Sequence, residues 1–203
     1  MTDRQTIEVY NAKTREYADT VRKAGPDQTL RAFIAQLPAG SRILDLGCGL
    51  GNSSAAMQEA GHIPDPLDAS EEMVRYARDT YSLPARHGDF HDLAGPYGAA
   101  WANFSLLHMP RAEIAPYLGK LARHIEQGGL LHIGMKSGRG EKRDTIGRKY
   151  SYVMADEMAD WLRAAGFEPE EPETGETLGL DGVAAPFFTL TAIKQTSAPH
   201  SPA

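Results

Sequence analysis

The clearest chemical signal in this sequence is a glycine-rich turn that follows a run of apolar residues. Asp45 is followed by glycines at positions 47, 49 and 51, in the pattern Asp-x-Gly-x-Gly-x-Gly. Glycines are needed where a turn brings backbone amides close to a ligand, because a side chain would fill that space. A dinucleotide-binding loop would carry its third glycine at position 52, where this chain has Asn52. The pattern predicts a ligand-binding turn and argues against a bound pyrophosphate. The alternative is a turn that only packs the strand against the helix.

Two further aspartates follow the turn at informative spacings. Asp68 comes 23 residues after Asp45, close to the spacing of ~20 residues at which an acidic residue binds ribose hydroxyls. The alternative is that Asp68 only begins the next helix, although Ser70 already suits that role as an N-cap. Asp89 lies in Gly88-Asp89-Phe90, where the alternatives are a loop cap for Asp89 and core packing for Phe90.

Strand and helix patterns alternate along the chain. This alternation predicts an α/β, Rossmann-like fold with a mostly parallel sheet of about seven strands and helices on both faces. The last strand pair is expected to be antiparallel, with the β-rich segment 187–193 as its final strand. We predict further strands at 42–46, 63–67, 86–89, 99–105 and 130–135, and helices at 52–60, 111–125, 156–165 and from Ser70.

The second strand contains two prolines, Pro64 and Pro66. Proline has no N–H group to donate to a neighbouring strand. We therefore expect either a short strand that begins after Pro66 or an extended segment that leads into it.

The order of these motifs resembles the class I, Rossmann-like S-adenosylmethionine-dependent methyltransferases of the small-molecule type. Besides the glycine turn, the resemblance rests on Leu67-Asp68-Ala69-Ser70, on Gly88-Asp89-Phe90, and on the segments 101–110 and 127–131. The matches run from about position 10 to position 167. Many relatives carry an acid at the start of the fourth strand, where this chain has Tyr97-Gly98-Ala99, so a catalytic carboxylate there is not expected.

The resemblance implies S-adenosyl-L-methionine as cofactor and methyl transfer to a small-molecule acceptor. Asp45 would face the ammonium of the cofactor, Asp68 the ribose hydroxyls and Asp89 the adenine amino group. The implied cofactor-binding residues are Tyr10, Tyr17, Asp45, Gly47, Cys48, Gly49, Asp68, Ala69, Met73, Asp89, Phe90 and Phe104.

The first 38 residues are predicted to form a helical cap. Apolar residues recur at helical spacing on both sides of Gly25-Pro26, and Pro38 ends the second segment. In relatives of the small-molecule type, a helix that bears tyrosines covers the cofactor, and Tyr10 and Tyr17 suit that role. The alternative is an amphipathic helix that merely caps the sheet.

A basic segment follows the fifth strand and suggests a place for the acceptor. Residues 136–149 hold six Lys or Arg and two Asp or Glu, on the edge where open α/β sheets bind ligands. We expect a candidate lid at 138–150 that attracts a carboxylate or phosphate on the acceptor, with Lys136, Arg139 and Arg148 as substrate-binding candidates. The alternative is a solvated loop balanced by the acidic stretch 156–176.

His108 is the single candidate for a catalytic base. An unperturbed histidine has a pKa of ~6.5, which suits proton transfer near neutral pH. The alternative, a packed and hydrogen-bonded histidine, is favoured because no partner group is evident. Cys48 is expected to pack rather than to react, and no histidine or cysteine spacing indicates a metal site.

Length, composition and charge set the remaining expectations. The 203 residues suit one methyltransferase domain over 1–195, with a flexible Ser-, Pro- and Ala-rich tail at 196–203. A net charge of −6 argues against a nucleic-acid partner. The absence of an apolar run of ~20 residues argues against a membrane span and suggests the cytoplasm. A noncatalytic adenosylmethionine-binding domain and an NAD-dependent oxidoreductase remain as alternatives.

Overall fold

A computed structural model describes residues 3–24 and 27–196, with the backbone alone for residues 20–24. The expected helix break at Gly25-Pro26 and most of the expected tail lie outside these residues. Seven strands follow the order β3-β2-β1-β4-β5-β10-β8, and β9 pairs with β10. The strands are β1 (Arg42–Leu46), β2 (Ile63–Asp68), β3 (Arg86–His87), β4 (Tyr97–Asn103), β5 (Ile125–Lys136), β8 (Phe167–Pro169), β9 (Glu173–Leu178) and β10 (Ala184–Lys194).

The sheet has the mixed character that the sequence predicts. Strands β1 to β5 are parallel, whereas β10 runs antiparallel to β5, β8 and β9. A separate hairpin joins β6 (Glu141–Arg143) to β7 (Lys149–Ser151). The helices are α1 (Arg4–Ala24), α2 (Gln28–Ala35), α3 (Asn52–Glu59), α4 (Glu71–Tyr81), α5 (Arg111–Ala122) and α6 (Ala155–Ala164), with a 3₁₀ turn at Leu106–His108. The Rossmann-like α/β fold is therefore confirmed.

The two prolines lie inside β2, so the expectation of a strand that begins after Pro66 is wrong. The amide of Ile63 donates to Ser41, and the carbonyl of Leu67 accepts from Gly47, which shows that the odd-numbered peptide groups face β1. The positions of Pro64 and Pro66 face the other neighbour, β3, which pairs with β2 only from Leu67 onwards. No ladder hydrogen bond is lost, because each missing N–H points to the unpaired side.

The boundary between α5 and β5 also differs from the prediction. Ile125 belongs to β5 and not to the end of α5, because the glycine pair at 128 and 129 forms an irregularity within the strand and not a turn before it. The register of β5 against β4 shifts between Tyr97 and Ala99, where Gly129 lies close to the carbonyl oxygen of Gly98.

 The shift accommodates the extra residues of β5 without breaking the pairing of the two strands.

A cluster of ion pairs and hydrogen bonds around Asp65 connects four neighbouring strands of the sheet. The Asp65 carboxylate accepts hydrogen bonds from Arg42 Nη2 at 3.0 Å, from Arg86 Nε at 2.7 Å and from the Tyr97 hydroxyl at 2.7 Å. Burial raises the pKa of Asp65, but the bonds from Arg86 and Tyr97 outweigh it and hold the pKa below its usual value. The cluster therefore joins β1, β2, β3 and β4 through a single ionised carboxylate.

Replacing Asp65 with alanine is expected to lower the free energy of unfolding by about 2 to 3 kcal/mol near neutral pH, since three donors lose their acceptor. Urea denaturation measures this loss. Asp79→Ala, at an exposed position of α4, is the control and should change stability by less than about 0.5 kcal/mol. Because the pKa of Asp65 is lowered, the difference between the wild type and Asp65→Ala should shrink as the pH falls below about 4. A constant difference down to lower pH would contradict this assignment.

Candidate active site

A cavity of about 320 Å³ opens at the carboxyl ends of the parallel strands. It is bounded by the turn after β1, the ends of β2 and β4, the start of α4, and the inner face of α1. Open α/β sheets bind ligands at this edge, where the strand order reverses between β1 and β4. The fold therefore brings residues from distant parts of the chain to one site.

The three glycines of the turn after β1 have different roles. All three have positive φ angles, of +73° at Gly47, +52° at Gly49 and +83° at Gly51. A Cβ at Gly47 would overlap the Ser105 side chain, and one at Gly51 would lie 2.8 Å from the Cβ of Ala77. A Cβ at Gly49 would meet nothing closer than 3.9 Å, where it approaches the Tyr17 ring. Gly47 and Gly51 thus allow close packing, whereas Gly49 leaves space inside the cavity.

Asp68 holds the glycine turn in place from the end of β2. Its Oδ2 accepts from the amide of Gly49 at 2.8 Å, and its Oδ1 accepts from the amide of Ser70 at 2.8 Å. Each oxygen keeps a further lone pair for a ligand hydroxyl. Ser70 caps α4 by accepting from the amide of Met73, as the sequence predicts. Asp68 therefore has a structural role in addition to the ribose contact proposed for it.

Asp45 is the most buried carboxylate that lines the cavity, with 2% of its surface exposed. Its Oδ2 accepts a 2.6 Å hydrogen bond from the Ser54 hydroxyl. Burial raises the pKa of Asp45 to about 7, and the nearby charge of Asp68 adds to the increase, although the Ser54 hydroxyl opposes it. A ligand with a positive charge would stabilise the ionised form of this carboxyl group.

Aromatic residues border the cavity at the ends of β3 and β4. Phe90 lines it but is only 6% exposed, and its ring packs edge to face against Tyr117 at 5.7 Å. Phe104 has φ of +56°, which costs a non-glycine residue roughly 1 to 2 kcal/mol. Its ring packs against Phe187 at 5.6 Å. Strain of this kind tends to collect at functional sites.

Helix α1 covers the cavity and is fastened at both sides. On one side, Asn11 Oδ1 accepts from the Ser70 hydroxyl at 2.7 Å. On the other side, Asp3 forms an ion pair with Arg143 through two hydrogen bonds of 2.7 and 2.8 Å. The Thr6 hydroxyl also accepts from the amide of Lys149 at 2.8 Å. Helix α1 therefore bridges α4 and the β6–β7 hairpin, so the segment expected as a lid is a hairpin that contacts the cap.

His108 lies below this helix in a fixed hydrogen-bond chain. Its Nδ1 lies 2.9 Å from the carbonyl oxygen of Lys149 and must donate to it, so Nε2 accepts from the Tyr10 hydroxyl at 2.9 Å. The Tyr10 hydroxyl in turn accepts from Arg148 Nη1 at 3.1 Å. Burial lowers the pKa of His108 to about 4, and the charge of Arg148 contributes to the decrease. His108 is therefore neutral near pH 7.

Two buried cations line the same part of the cavity. Lys136 is 7% exposed and Arg148 is 3% exposed. Arg148 Nε pairs with Asp144 at 2.8 Å, whereas its Nη2 has no hydrogen-bond partner. Lys136 Nζ lies 4.1 Å from the centre of the Tyr150 ring. The cavity is thus acidic near the glycine turn and basic near the hairpin.

Most of the site residues predicted from the sequence lie around this one cavity. The twelve residues expected to bind the cofactor all line the cavity, as do His108, Lys136 and Arg148. Arg139 does not line it and is exposed, so the structure separates this residue from the other two basic candidates. Among the described residues, no group of three His, Cys, Asp or Glu side chains is placed to hold a metal ion.

Several residues of the cavity gave no signal in the sequence. Ser105 lies in the segment 101–110, but only the structure shows that its hydroxyl group is buried without a hydrogen-bond partner. Tyr150 belongs to β7, which has no recognisable strand pattern. The end of β9 and the turn that follows it contribute Leu178, Gly179 and Leu180, which resemble ordinary loop residues in the sequence.

Comparisons with known proteins agree with the fold and with the motifs. Residues 43–129 match a family described as a methyltransferase domain. Over this segment the chain is similar to the class I, Rossmann-like S-adenosylmethionine-dependent methyltransferases. One relative is the 27-O-demethylrifamycin SV methyltransferase of Amycolatopsis mediterranei, which is 31% identical over 70% of this chain and 59% of its own. The chain spans at most about three fifths of the length of the first curated relatives that it matches.

Solved structures with the same fold include proteins of different activities. The 1,6-didemethyltoxoflavin-N1-methyltransferase of Burkholderia thailandensis has a TM-score of 0.68 at 21% identity, covering 93% of this chain and 88% of its own. Its structure contains S-adenosylhomocysteine and 1,6-didemethyltoxoflavin. A [4+2]-cyclase has a TM-score of 0.65 at 22% identity, covering 83% of this chain and 81% of its own. These likenesses establish the fold.

Substituting Gly49 with valine is expected to abolish binding of S-adenosylhomocysteine while leaving a folded protein. A β-branched side chain at this position would occupy the open part of the cavity and would be strained at positive φ. Gly40→Val is the matched control, because Gly40 also has positive φ and open space around it but does not line the cavity. Calorimetric titration and circular dichroism of both variants measure the effect. Wild-type affinity in a folded Gly49→Val protein would show that the ligand lies elsewhere.

The affinity for S-adenosylhomocysteine is expected to increase as the pH rises from about 5.5 to 7 and then to level off. The free protein must lose the proton of Asp45, whose pKa is about 7, to pair with the ammonium of the ligand. Below this pKa, each pH unit costs up to tenfold in affinity. Calorimetry across this range measures the slope. In Asp45→Asn the affinity should be lower and nearly independent of pH, and an unchanged slope in this variant would assign the titration to another group.

Proposed function

We propose that this protein transfers the methyl group of S-adenosylmethionine to a small-molecule acceptor. The observation that carries the proposal is the open space at Gly49, framed by the carboxylates of Asp45 and Asp68. This arrangement suits a ligand with an ammonium group and vicinal hydroxyls but no phosphate. A pyrophosphate would be repelled by two carboxylates, which disfavours an NAD-dependent oxidoreductase.

The residues present fit the cofactor at each of its parts. Asp45 provides a buried negative charge for the ammonium, and Asp68 provides acceptors for the ribose hydroxyls. Asp89 and Phe90 lie at the end of β3, where a carboxylate and a ring edge suit an adenine. Tyr17 reaches the glycine turn from α1, so the covering helix completes the cofactor half of the cavity.

The chain contributes mainly by positioning the reactants and by excluding water. When bound, the cofactor supplies a methyl group on a positively charged sulfur, and the acceptor atom forms a new bond to carbon while the sulfur keeps the electron pair of the bond that breaks. Helix α1 covers one side of the cavity and is held there by its contacts with Ser70 and Lys149. Holding the two reactants in contact lowers the entropic part of the activation barrier. Exclusion of water strengthens the electrostatic interactions between the reactants and the charged side chains of the site.

His108 is better suited to positioning than to proton abstraction. Its Nε2 already accepts from Tyr10, and a group with a pKa of about 4 has little capacity to take a proton from a hydroxyl. Through this chain, His108 orients Tyr10, and Tyr10 in turn contacts Arg148. The acceptor half of the cavity is cationic, which favours an anionic small molecule.

A noncatalytic adenosylmethionine-binding domain is the second candidate. Against it, the cavity continues from the glycine turn to Lys136 and Arg148, which leaves room for an acceptor beside the cofactor.

No helix among the described residues is long and apolar enough to span a membrane. A cytoplasmic location and the absence of a nucleic-acid partner remain expectations from the sequence.

The proposal predicts that incubation with methyl-labelled S-adenosylmethionine and a metabolite extract labels at least one small molecule and produces S-adenosylhomocysteine. Mass spectrometry identifies the labelled product, and Gly49→Val is the inactive control. Calorimetry should also show binding of S-adenosylhomocysteine and none of NADH. Binding of S-adenosylhomocysteine without labelling of any metabolite would favour the noncatalytic alternative, whereas tight binding of NADH alone would overturn the proposed function.

A further inference from the structure

The basic end of the cavity contains donors that the protein itself does not satisfy. Arg148 Nη2 is buried and has no hydrogen-bond partner, although Nε and Nη1 of the same guanidinium are both bonded. Among the described residues, no carboxylate lies within 4 Å of Lys136 Nζ to form a salt bridge. Unsatisfied buried donors are uncommon, and two cations at one end of a cavity are a strong indication of a ligand.

The surroundings hold both cations in place. The Tyr150 ring lies between them, 4.1 Å from Lys136 Nζ and 5.2 Å from Arg148 Cζ. Asp144 neutralises one charge by pairing with Arg148. Burial lowers the pKa of Lys136, and the charge of the Asp181 carboxylate, on the turn between β9 and β10, opposes part of this decrease. The other neighbours, His108 and Tyr10, are neutral near pH 7.

We propose that the acceptor carries a carboxylate and that Lys136 and Arg148 bind it. This inference rests on the proposed methyl transfer, because it names the substrate class of the same site. The carboxylate would accept from Arg148 Nη2 and from Lys136 Nζ, the two donors for which the described residues provide no partner. Helix α1 would then enclose the anchored acceptor beside the cofactor.

A carboxylate fits this site better than a phosphate. Only one nitrogen of the guanidinium is free, so the site offers one donor atom from Arg148 and one from Lys136 to the two oxygens of a carboxylate. Of the two neighbouring carboxylates, only Asp144 forms a salt bridge, with Arg148, so the two cations leave at most one net positive charge, which a carboxylate neutralises. A phosphate monoester carries about −1.5 to −2 charges near pH 7, which exceeds that charge.

Matched aromatic anions test the inference on the protein saturated with S-adenosylhomocysteine. Benzoate, benzamide and phenyl phosphate have similar rings but differ in charge and in the number of oxygens. We expect benzoate to bind, as measured by calorimetry at constant ionic strength, and to bind at least about tenfold more tightly than benzamide or phenyl phosphate. Equal affinity for benzamide, preference for phenyl phosphate, or no binding of benzoate would each overturn the inference.

Lys136→Met identifies the binding residue. It removes the charge while keeping a long apolar side chain, and it should lower the affinity for benzoate by at least about tenfold. The affinity for S-adenosylhomocysteine should be unchanged, because Lys136 lies at the opposite end of the cavity from the glycine turn. Lys142→Met is the matched control at an exposed position outside the cavity and should leave both affinities unchanged.

These measurements separate failure of the inference from failure of the proposed function. Loss of S-adenosylhomocysteine binding by the wild type would contradict the function itself. Normal binding of S-adenosylhomocysteine together with wild-type affinity for benzoate in Lys136→Met would contradict only the carboxylate site. If Lys136→Met melts earlier than the wild type, the comparison of benzoate with benzamide on the wild type still decides the question.

Discussion

The glycine turn after β1 and the start of α4 both depend on the carboxylate of Asp68. Its two oxygens accept from the amides of Gly49 and Ser70, so one side chain at the end of β2 fixes both the glycine turn and the start of α4. Burial raises the pKa of this carboxyl group, and the two amides oppose the increase by stabilising the charge. The two carboxylate oxygens of Asp68 also face the cavity. A single side chain therefore determines both the position of the glycine turn and the proposed contact with the ribose.

The two halves of the cavity have opposite electrostatic character. Asp45 and Asp68 lie near the glycine turn, whereas Lys136 and Arg148 lie near the β6–β7 hairpin. The ends of β4 and β5 lie between these two pairs of charged residues. A cationic methyl donor and an anionic acceptor would each be attracted to its own half. Transfer between them would neutralise charge inside a space that excludes water, which suits catalysis by positioning.

The residues that the sequence assigns to cofactor binding lie around one cavity, because the signals that predict their positions are local. Glycines at fixed spacings, and aspartates directly after apolar strands, lie at the same sheet edge in any parallel α/β fold. The acceptor half was less predictable, because it depends on contacts across long sequence separations, such as Asp3 with Arg143, which are 140 residues apart. The sequence identified the basic character of 136–149 but not the hairpin, nor that Arg148 is buried while Arg139 is exposed.

Helix α1 contacts both halves of the cavity at once. Tyr17 approaches the glycine turn, and Tyr10 bonds to His108 and accepts from Arg148. Because a helix moves largely as a rigid body, lifting α1 would uncover the donor and the acceptor together. Under the proposed function, exchange of the spent cofactor and departure of the product would therefore share one barrier, and the partly exposed Asp3–Arg143 pair at the helix start would make that barrier sensitive to ionic strength.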